Sequence, residues 1–281
     1  MTAPKGRWHP ETEMQPPAPR GLGWLRLALR LPVLALLLFG GLAIFLTLRG
    51  GERLMVGQRR PLSGYVAQFC CGYSLAVLGM RYRSQGAPMR HPGAFVSNHS
   101  SWLDIYALFR RDRVFFVSKA EVARWPGVGL LARAVGTVFI SRDPRQAEAQ
   151  RQVFDARLRL GHRLVFFPEG TSTDGSLVLP FKSTLFAAFF AEGLRARLWV
   201  QPVSVRYHAP EGADPRFYNW FGAMTFAPHL LSLLAAPRHG GVEVIYHPPL
   251  RVADFADRKA LARACEAAVR SGLRDPAESP R

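Results

Sequence analysis

Residues 93–104 read G-A-F-V-S-N-H-S-S-W-L-D, a short apolar run followed by the start of a helical pattern. Residues 94–97 have the length and character of a buried strand, and residues 100–109 have the pattern of a helix. His99 therefore stands at a strand-to-helix junction, where a side chain can be held half-exposed at the mouth of a pocket. Asp104, five residues on, reaches back across the first helical turn to orient the imidazole. The two make a general-base pair that has no nucleophile of its own.

Working outward from this stretch, short β-rich runs alternate with helical patterns. Strands are expected at 114–117, 137–141, 164–167, 198–205 and 242–246, and helices at 128–134, 145–160, 183–194 and 257–271. Such alternation gives an α/β domain with a mixed sheet over residues 83–281. Within 181–190, Phe186, Phe189 and Phe190 fall at helical spacing beside Leu185, which fits either core packing or an acyl-chain groove.

Upstream the texture differs. Residues 1–20 are Pro-rich and polar and read as a disordered leader. Residues 31–48 are uncharged and mostly apolar, close to the ~20 residues that cross a bilayer. A cleaved signal peptide is the rival, but Leu-Thr-Leu-Arg-Gly-Gly is a poor cleavage site. A second apolar segment, 62–80, begins after Pro61, a good first helical residue. Arg20, Arg26 and Arg30 precede the first run, and Arg49, Arg53, Arg59 and Arg60 follow it. Two helices dipping into one leaflet leave both basic flanks on one side, which a single span does not. Residues 21–82 are thus expected to be membrane-associated helices.

The formal charge of the 281-residue chain is +17, of which the first 60 residues carry +6. So basic a body calls for an anionic partner, either nucleic acid or an anionic membrane face. No helix-turn-helix, finger or RNA-binding signature is present, and nucleic acid is not expected. Three cysteines, two of them adjacent (Cys70, Cys71), form neither a disulfide framework nor a zinc pattern and fit a reducing compartment.

Three further stretches supply parts that the His99–Asp104 pair lacks. Residues 136–142, G-T-V-F-I-S-R, are a strand ending in Arg142, whose guanidinium suits capture of a phosphate or carboxylate. Residues 166–175, F-F-P-E-G-T-S-T-D-G, run from a strand into a sharp turn that presents Glu169, Thr171, Ser172 and backbone N–H groups. Residues 200–205, V-Q-P-V-S-V, form a buried strand interrupted by Pro202, which points to an edge or a bulge. Lys119 and Lys182 are secondary cationic candidates.

With these blocks in order over about residues 93–206, the chain resembles the lysophospholipid (glycerol-phosphate) acyltransferase family, whose blocks are N-H-x4-D, G-x-x-F-I-x-R, F-P-E-G-T and a V-P-type strand. The resemblance implies an O-acyltransferase. It moves a fatty acyl group from an acyl thioester, on acyl-carrier protein or coenzyme A, to the free hydroxyl of a lysolipid, with no cofactor and no metal. His99 becomes the base that deprotonates this hydroxyl, and Asp104 fixes its tautomer. Arg142 and the turn of Glu169, Gly170, Thr171 and Ser172 hold the acceptor's head group, with Lys119 nearby. Residues 22–80 resemble the paired membrane-docking helices of bacterial members. That likeness implies an inner, cytoplasmic membrane with an anionic surface and a site facing the cytoplasm.

One departure bears on the acceptor. Members acting on 1-acylglycerol-3-phosphate continue F-P-E-G-T with an arginine, whereas this chain has Ser172-Thr173-Asp174-Gly175. Losing a cation and gaining Asp174 weakens the case for a phosphate monoester. The S-T-D-G continuation is more similar to the subgroup that acylates lyso-ornithine lipid, whose head group carries an ammonium and a carboxylate. Asp174 then meets the ammonium and Arg142 the carboxylate, with lysophosphatidate as the alternative acceptor. Two readings from other classes are a non-catalytic basic membrane-binding protein and a lipid hydrolase. For the hydrolase, no G-x-S-x-G elbow exists in the chain.

Overall fold

In the computed structural model, which describes residues 13–58, 60–141 and 147–273, eight strands form one mixed sheet. They are β1 (Arg81–Gln85), β2 (Gly93–Ser97), β3 (Phe115–Lys119), β4 (Val138–Ile140), β5 (Arg163–Phe166), β6 (Trp199–His208), β7 (Gly241–Tyr246) and β8 (Leu250–Arg251). The order is β1-β7-β6-β2-β5-β3-β4, with β8 also on β6. From β6 to β4 all neighbours run parallel, while β7 is antiparallel to β6 and parallel to β1. Side chains alternate between two cores as strand geometry requires. Phe95, Phe116, Val165 and Val203 enter one; Val96, Val117, Leu164 and Val200 enter the other. The near-continuous apolar runs of the inner strands follow from burial on both faces.

The mixed α/β sheet expected from the sequence is what forms. β1 was not anticipated because Arg-Tyr-Arg-Ser-Gln is polar; it is an edge strand, and only half of it faces inward. Pro202 lies inside β6 where the neighbour on one side changes from β8, paired at Trp199 and Val200, to β7, paired from Val203. The proline thus sits at a seam between two partners, where its missing N–H interrupts no ladder.

Ahead of the sheet, α1 (Leu22–Ala35), a π-helical turn (Leu36–Gly40) and α2 (Gly41–Val56) form one 35-residue helix. Among the described residues it alone is long and apolar enough to cross a membrane. It starts earlier than the expected apolar run, and its first part is pinned to the body. Arg30 Nη1 donates to Leu234 O at 2.9 Å and Ala236 O at 2.8 Å, and Arg26 reaches Ala235 O. These carbonyls end α7 (Phe226–Ala235), so two residues of the upstream basic flank cap a helix inside the protein. The helix α3 (Ser63–Val77) packs along α2, and with the π-helical turn they expose Leu36, Ile44, Leu46, Phe69 and Tyr73. Exposed apolar side chains beside a helix of this length and composition suggest membrane association.

The remaining helices are α4 (Leu103–Phe109), α5 (Val128–Ala134), α6 (Ala147–Arg159) and α8 (Arg258–Leu273). The phenylalanine stripe lies in a 3-10 helix, Ser183–Phe190, where Phe186 and Phe189 are fully buried against Phe166. That stripe is core packing and not an acyl groove. The leader's residues 1–12 lie outside the described residues, as does Arg142. The boundary expected near residue 82 falls within β1.

Candidate active site

Because β2, β3, β4 and β5 are parallel, their carboxyl ends align along one edge of the sheet. Ligands bind at this edge in open α/β sheets. His99 follows β2, Lys119 ends β3 beside Ile140 of β4, and the Pro168–Gly170 turn follows β5. Four blocks distant in sequence are thereby gathered at one place.

The segment between β2 and α4 is tied down atom by atom. Asn98 Nδ2 donates to Val205 O at 2.9 Å and its Oδ1 accepts from Val205 N at 2.8 Å, which extends the β2–β6 ladder with a side chain. Past this clamp His99 Nδ1 lies 2.7 Å from Asp104 Oδ2. The same oxygen accepts from Ser100 N and Ser101 N at 3.0 and 3.2 Å, so Asp104 also caps the start of α4. Its other oxygen accepts from the Tyr207 hydroxyl at 2.7 Å. Asp104 is completely buried, and four polar groups converge on its two oxygens, the imidazole among them. Burial and the Asp104 charge push the Tyr207 phenol far up, which keeps it a proton donor across the neutral range.

With Nδ1 donating to Asp104, the second ring nitrogen, Nε2, is free to accept a proton. The ring stacks on Phe167 at 4.1 Å and 17°, and its side chain is 20% exposed. It opens on an apolar cavity whose empty volume, mouth included, is about 1350 Å³. Trp102, just ahead of α4, with Tyr106 and Phe109 of α4 lines one wall, and Leu38, Leu42 and Cys71 of the amino-terminal helices line another. The cavity thus runs from the His99 ring to the amino-terminal helices that expose the apolar residues.

The turn after β5 is built around Gly170, whose φ of +71° suits glycine, with Gly170 N donating to Phe167 O at 3.0 Å. Glu169 points inward: one oxygen accepts from His99 N and the other from Leu179 N, both at 2.7 Å. Thr173 N donates to His99 O at 2.9 Å, so the turn grips the His99 peptide on both sides. Thr171 and Ser172 are half-buried, and among the described residues no hydrogen bond engages their N–H groups. The Asp174 carboxylate accepts from Ser176 N and Oγ at 3.0 and 2.6 Å. Lys182 approaches Gly170, and its backbone N donates to Pro168 O at 3.0 Å.

Burial pushes the Glu169 carboxyl up to about 7, against the two N–H donors. The folded state therefore holds a proton on Glu169 at pH values where the unfolded chain has lost it, and stability falls as pH rises from the unfolded value toward about 7. Glu169→Gln abolishes this titration. Melting curves taken across that window are expected to show the variant gaining on the parent protein as pH rises. A constant or shrinking difference would remove the assignment.

One side of the site comes from residues that have no motif. Trp220 N donates to Ser100 O at 2.7 Å, Ser101 Oγ donates to Tyr218 O at 2.6 Å, and Asn219 Nδ2 donates to Asp174 O. The 218–220 strap thus closes over both the His99 segment and the S-T-D-G turn. Trp220 also lines the cavity and meets Trp125 edge-on at 5.8 Å.

Residues 79–206 match the family model described as Acyltransferase. The chain is 54% identical over 259 residues to the lyso-ornithine lipid O-acyltransferase of Rhodobacter capsulatus, covering 92% of this chain and 93% of that protein. It is 30% identical to a 1-acyl-sn-glycerol-3-phosphate acyltransferase of Neisseria gonorrhoeae, over 68% and 74% of the two chains. Among solved structures, it is similar to the 1-acyl-sn-glycerophosphate (LPA) acyltransferase PlsC from Thermotoga maritima. The TM-score is 0.63 at 20% identity, covering 92% of this chain and 97% of that one, a likeness of fold.

Proposed function

Because this chain belongs to the acyltransferase family, we propose that it moves a fatty acyl group from an acyl thioester to the free hydroxyl of a lysolipid, with lyso-ornithine lipid as preferred acceptor. The observation that carries the reaction is the His99–Asp104 pair opening on an apolar cavity walled by the docking helices. His99 Nε2 takes the hydroxyl proton, and the alkoxide oxygen attacks the thioester carbonyl carbon. Asp104 stabilises the imidazolium so formed. The unengaged N–H groups of Thr171 and Ser172 stabilise the oxyanion. Collapse breaks the C–S bond, the thiolate recovers the proton from His99, and ester and free thiol leave. Ser101 Oγ is fully buried and bonded to Tyr218 O, which argues against a serine acyl-enzyme.

Glu169 acts as a positioning residue through the His99 peptide; head-group contact falls to Gly170, Thr171, Ser172 and Lys182, with Lys119 at the same edge, and the family resemblance assigns Arg142 to the same head group. The cavity takes an acyl chain. Acyl-carrier protein and coenzyme A both suit the basic surface as donor carriers. Catalysis takes place at the cytoplasmic face of a bacterial inner membrane.

The acceptor rests on Ser172 and Asp174 standing where a cation would favour a phosphate, and on the relative acting on lyso-ornithine lipid. Assayed with one thioester, lyso-ornithine lipid is expected to give about ten-fold or higher kcat/KM than lysophosphatidate, the scale of one charge-assisted contact. Ser172→Arg should narrow that gap. A preference of the parent protein for lysophosphatidate would overturn the acceptor and leave the reaction intact.

A further inference from the structure

The α2–α3 connection meets the amino-terminal ends of β3 and β5, the edge of the sheet away from His99. A second cavity lies there, with an empty volume of about 770 Å³ including its mouth. Arg60, Arg113, His162 and Arg163 line it together with Phe45 and Phe115. Phe45 also lines the cavity at His99, whereas Arg60, Arg113, Phe115, His162 and Arg163 do not.

Its charges do not balance. Arg163 is neutralised by Asp112 at 2.7 Å. Arg60, Arg113 and the neighbouring Arg157 have no carboxylate within ion-pair distance among the described residues. Arg60 Nη1 donates to Val135 O at 2.7 Å, and its guanidinium lies 4.9 Å over the Phe115 ring. Arg157 lies over the same ring at 5.0 Å, and Arg113 lies over Tyr65 at 4.4 Å. Glu52, whose charge acts on Arg60, is engaged elsewhere: it accepts from Leu62 N, Ser63 N and Ser63 Oγ and stands 3.8 Å from Arg49. Arg60 Nε is buried without a hydrogen-bond partner.

The crowding shows in the titration of the cluster. Burial, then Arg49 and Arg157, drive Arg60 down to about 10. Burial, then Arg157, Arg60 and Arg49, drive His162 down to about 4. Folding gathers these cations against both burial and mutual repulsion, and contact with aromatic rings offsets only part of the cost.

We infer that this cavity binds the phosphate of an anionic membrane lipid. Several guanidinium forks around one opening match a tetrahedral oxyanion. The surrounding surface points to a lipid. Leu54 and Met55, near the end of α2, are 89% and 86% exposed, and Leu62 and Tyr65, at the start of α3, are exposed as well, so apolar side chains flank the connection that carries Arg60. A free anion needs no apolar rim, whereas the chains attached to a bound headgroup do. Occupancy would fix the depth and tilt of the helix pair that walls the acyl cavity. The inference requires membrane association but not the acceptor assignment.

The test uses the full chain and phosphatidylcholine vesicles with increasing fractions of phosphatidylglycerol. Arg60→Gln/Arg113→Gln/Arg157→Gln is compared with Arg258→Gln/Lys259→Gln/Arg263→Gln, which removes equal charge from exposed positions on α8. The cavity variant is expected to bind about ten-fold or more weakly and the α8 variant within about three-fold of the parent protein. Equal loss in the two would mean diffuse electrostatics and overturn the site. Inorganic phosphate is titrated against the protein without vesicles; phosphate binding that the cavity variant lacks, together with equal vesicle binding by parent and cavity variant, would make a free anion the ligand and overturn the lipid. Arg60 also caps α5, so if the triple variant melts early, Arg113→Gln/Arg157→Gln carries the comparison. Acyl transfer in neutral detergent micelles should be the same for parent and cavity variants, which separates a failure here from a failure of the catalytic reading.

Discussion

His99→Ala is expected to lower acyl transfer by about 10²- to 10⁴-fold, the range that a positioned general base contributes. The truncation removes the atom that accepts the acceptor's proton and leaves the clamps on its peptide in place. Those clamps are backbone contacts: Glu169 accepts from the His99 N–H and Thr173 N donates to the His99 carbonyl. The variant should therefore keep its melting temperature within a few degrees and bind vesicles as the parent protein does. The assay follows formation of the diacylated lipid from thioester and lysolipid, with free thiol measured in parallel. Transfer at the parent rate would sink the mechanism. Thiol release without acylated lipid in the parent protein would point to a hydrolase. Acyl transfer by neither protein would favour the non-catalytic membrane binder. Ser100→Ala should transfer near the parent rate, because a nucleophilic serine has no place in this scheme.

Much of this site was legible because its residues follow strands. Short continuous apolar runs give β2, β3 and β5 to within two residues at each end, and parallel neighbours bring their carboxyl ends together. What stayed hidden is non-local. The inward turn of Glu169 depends on the Leu179 N–H ten residues on and on the His99 N–H seventy residues back. Neither spacing has a pattern to read. The 218–220 strap carries no periodicity, and it acts through backbone carbonyls and N–H groups that any sequence supplies. Tyr207 is different. Val203 and Val205 face the core that holds α4, and the same alternation carried one step further puts Tyr207 on that face, beside Asp104. Ending the expected strand at Val205 stopped the reading one step short. Arg26 and Arg30 show the opposite error of emphasis. Counted as a membrane flank, they are spent on the last carbonyls of α7, an element with no motif to announce it.

The second large effect is expected at Asp104. Asp104→Asn should lower kcat by about 10³-fold or more with little change in KM, by analogy with the orienting aspartate of a Ser-His-Asp triad, where this change costs ~10⁴. An asparagine offers one oxygen where the carboxylate serves four donors. With its oxygen toward His99 Nδ1, the tautomer survives but the imidazolium faces a neutral group. With its amide toward His99, the NH₂ confronts three donors and the ring must reverse its tautomer. Both orientations lose the charge that stabilises the protonated base. Tyr207→Phe removes one of the four donors and leaves Asp104 Oδ1 buried without a partner. A fall in kcat of about ten-fold is expected, the scale of one buried charge-assisted hydrogen bond. The decisive measurement is the double variant. If Tyr207 acts through Asp104, Asp104→Asn/Tyr207→Phe should be no slower than Asp104→Asn alone, because the interaction is already gone. Multiplicative losses would mean that Tyr207 serves only the packing of β6 against α4, and would return Asp104 to three donors and one idle oxygen.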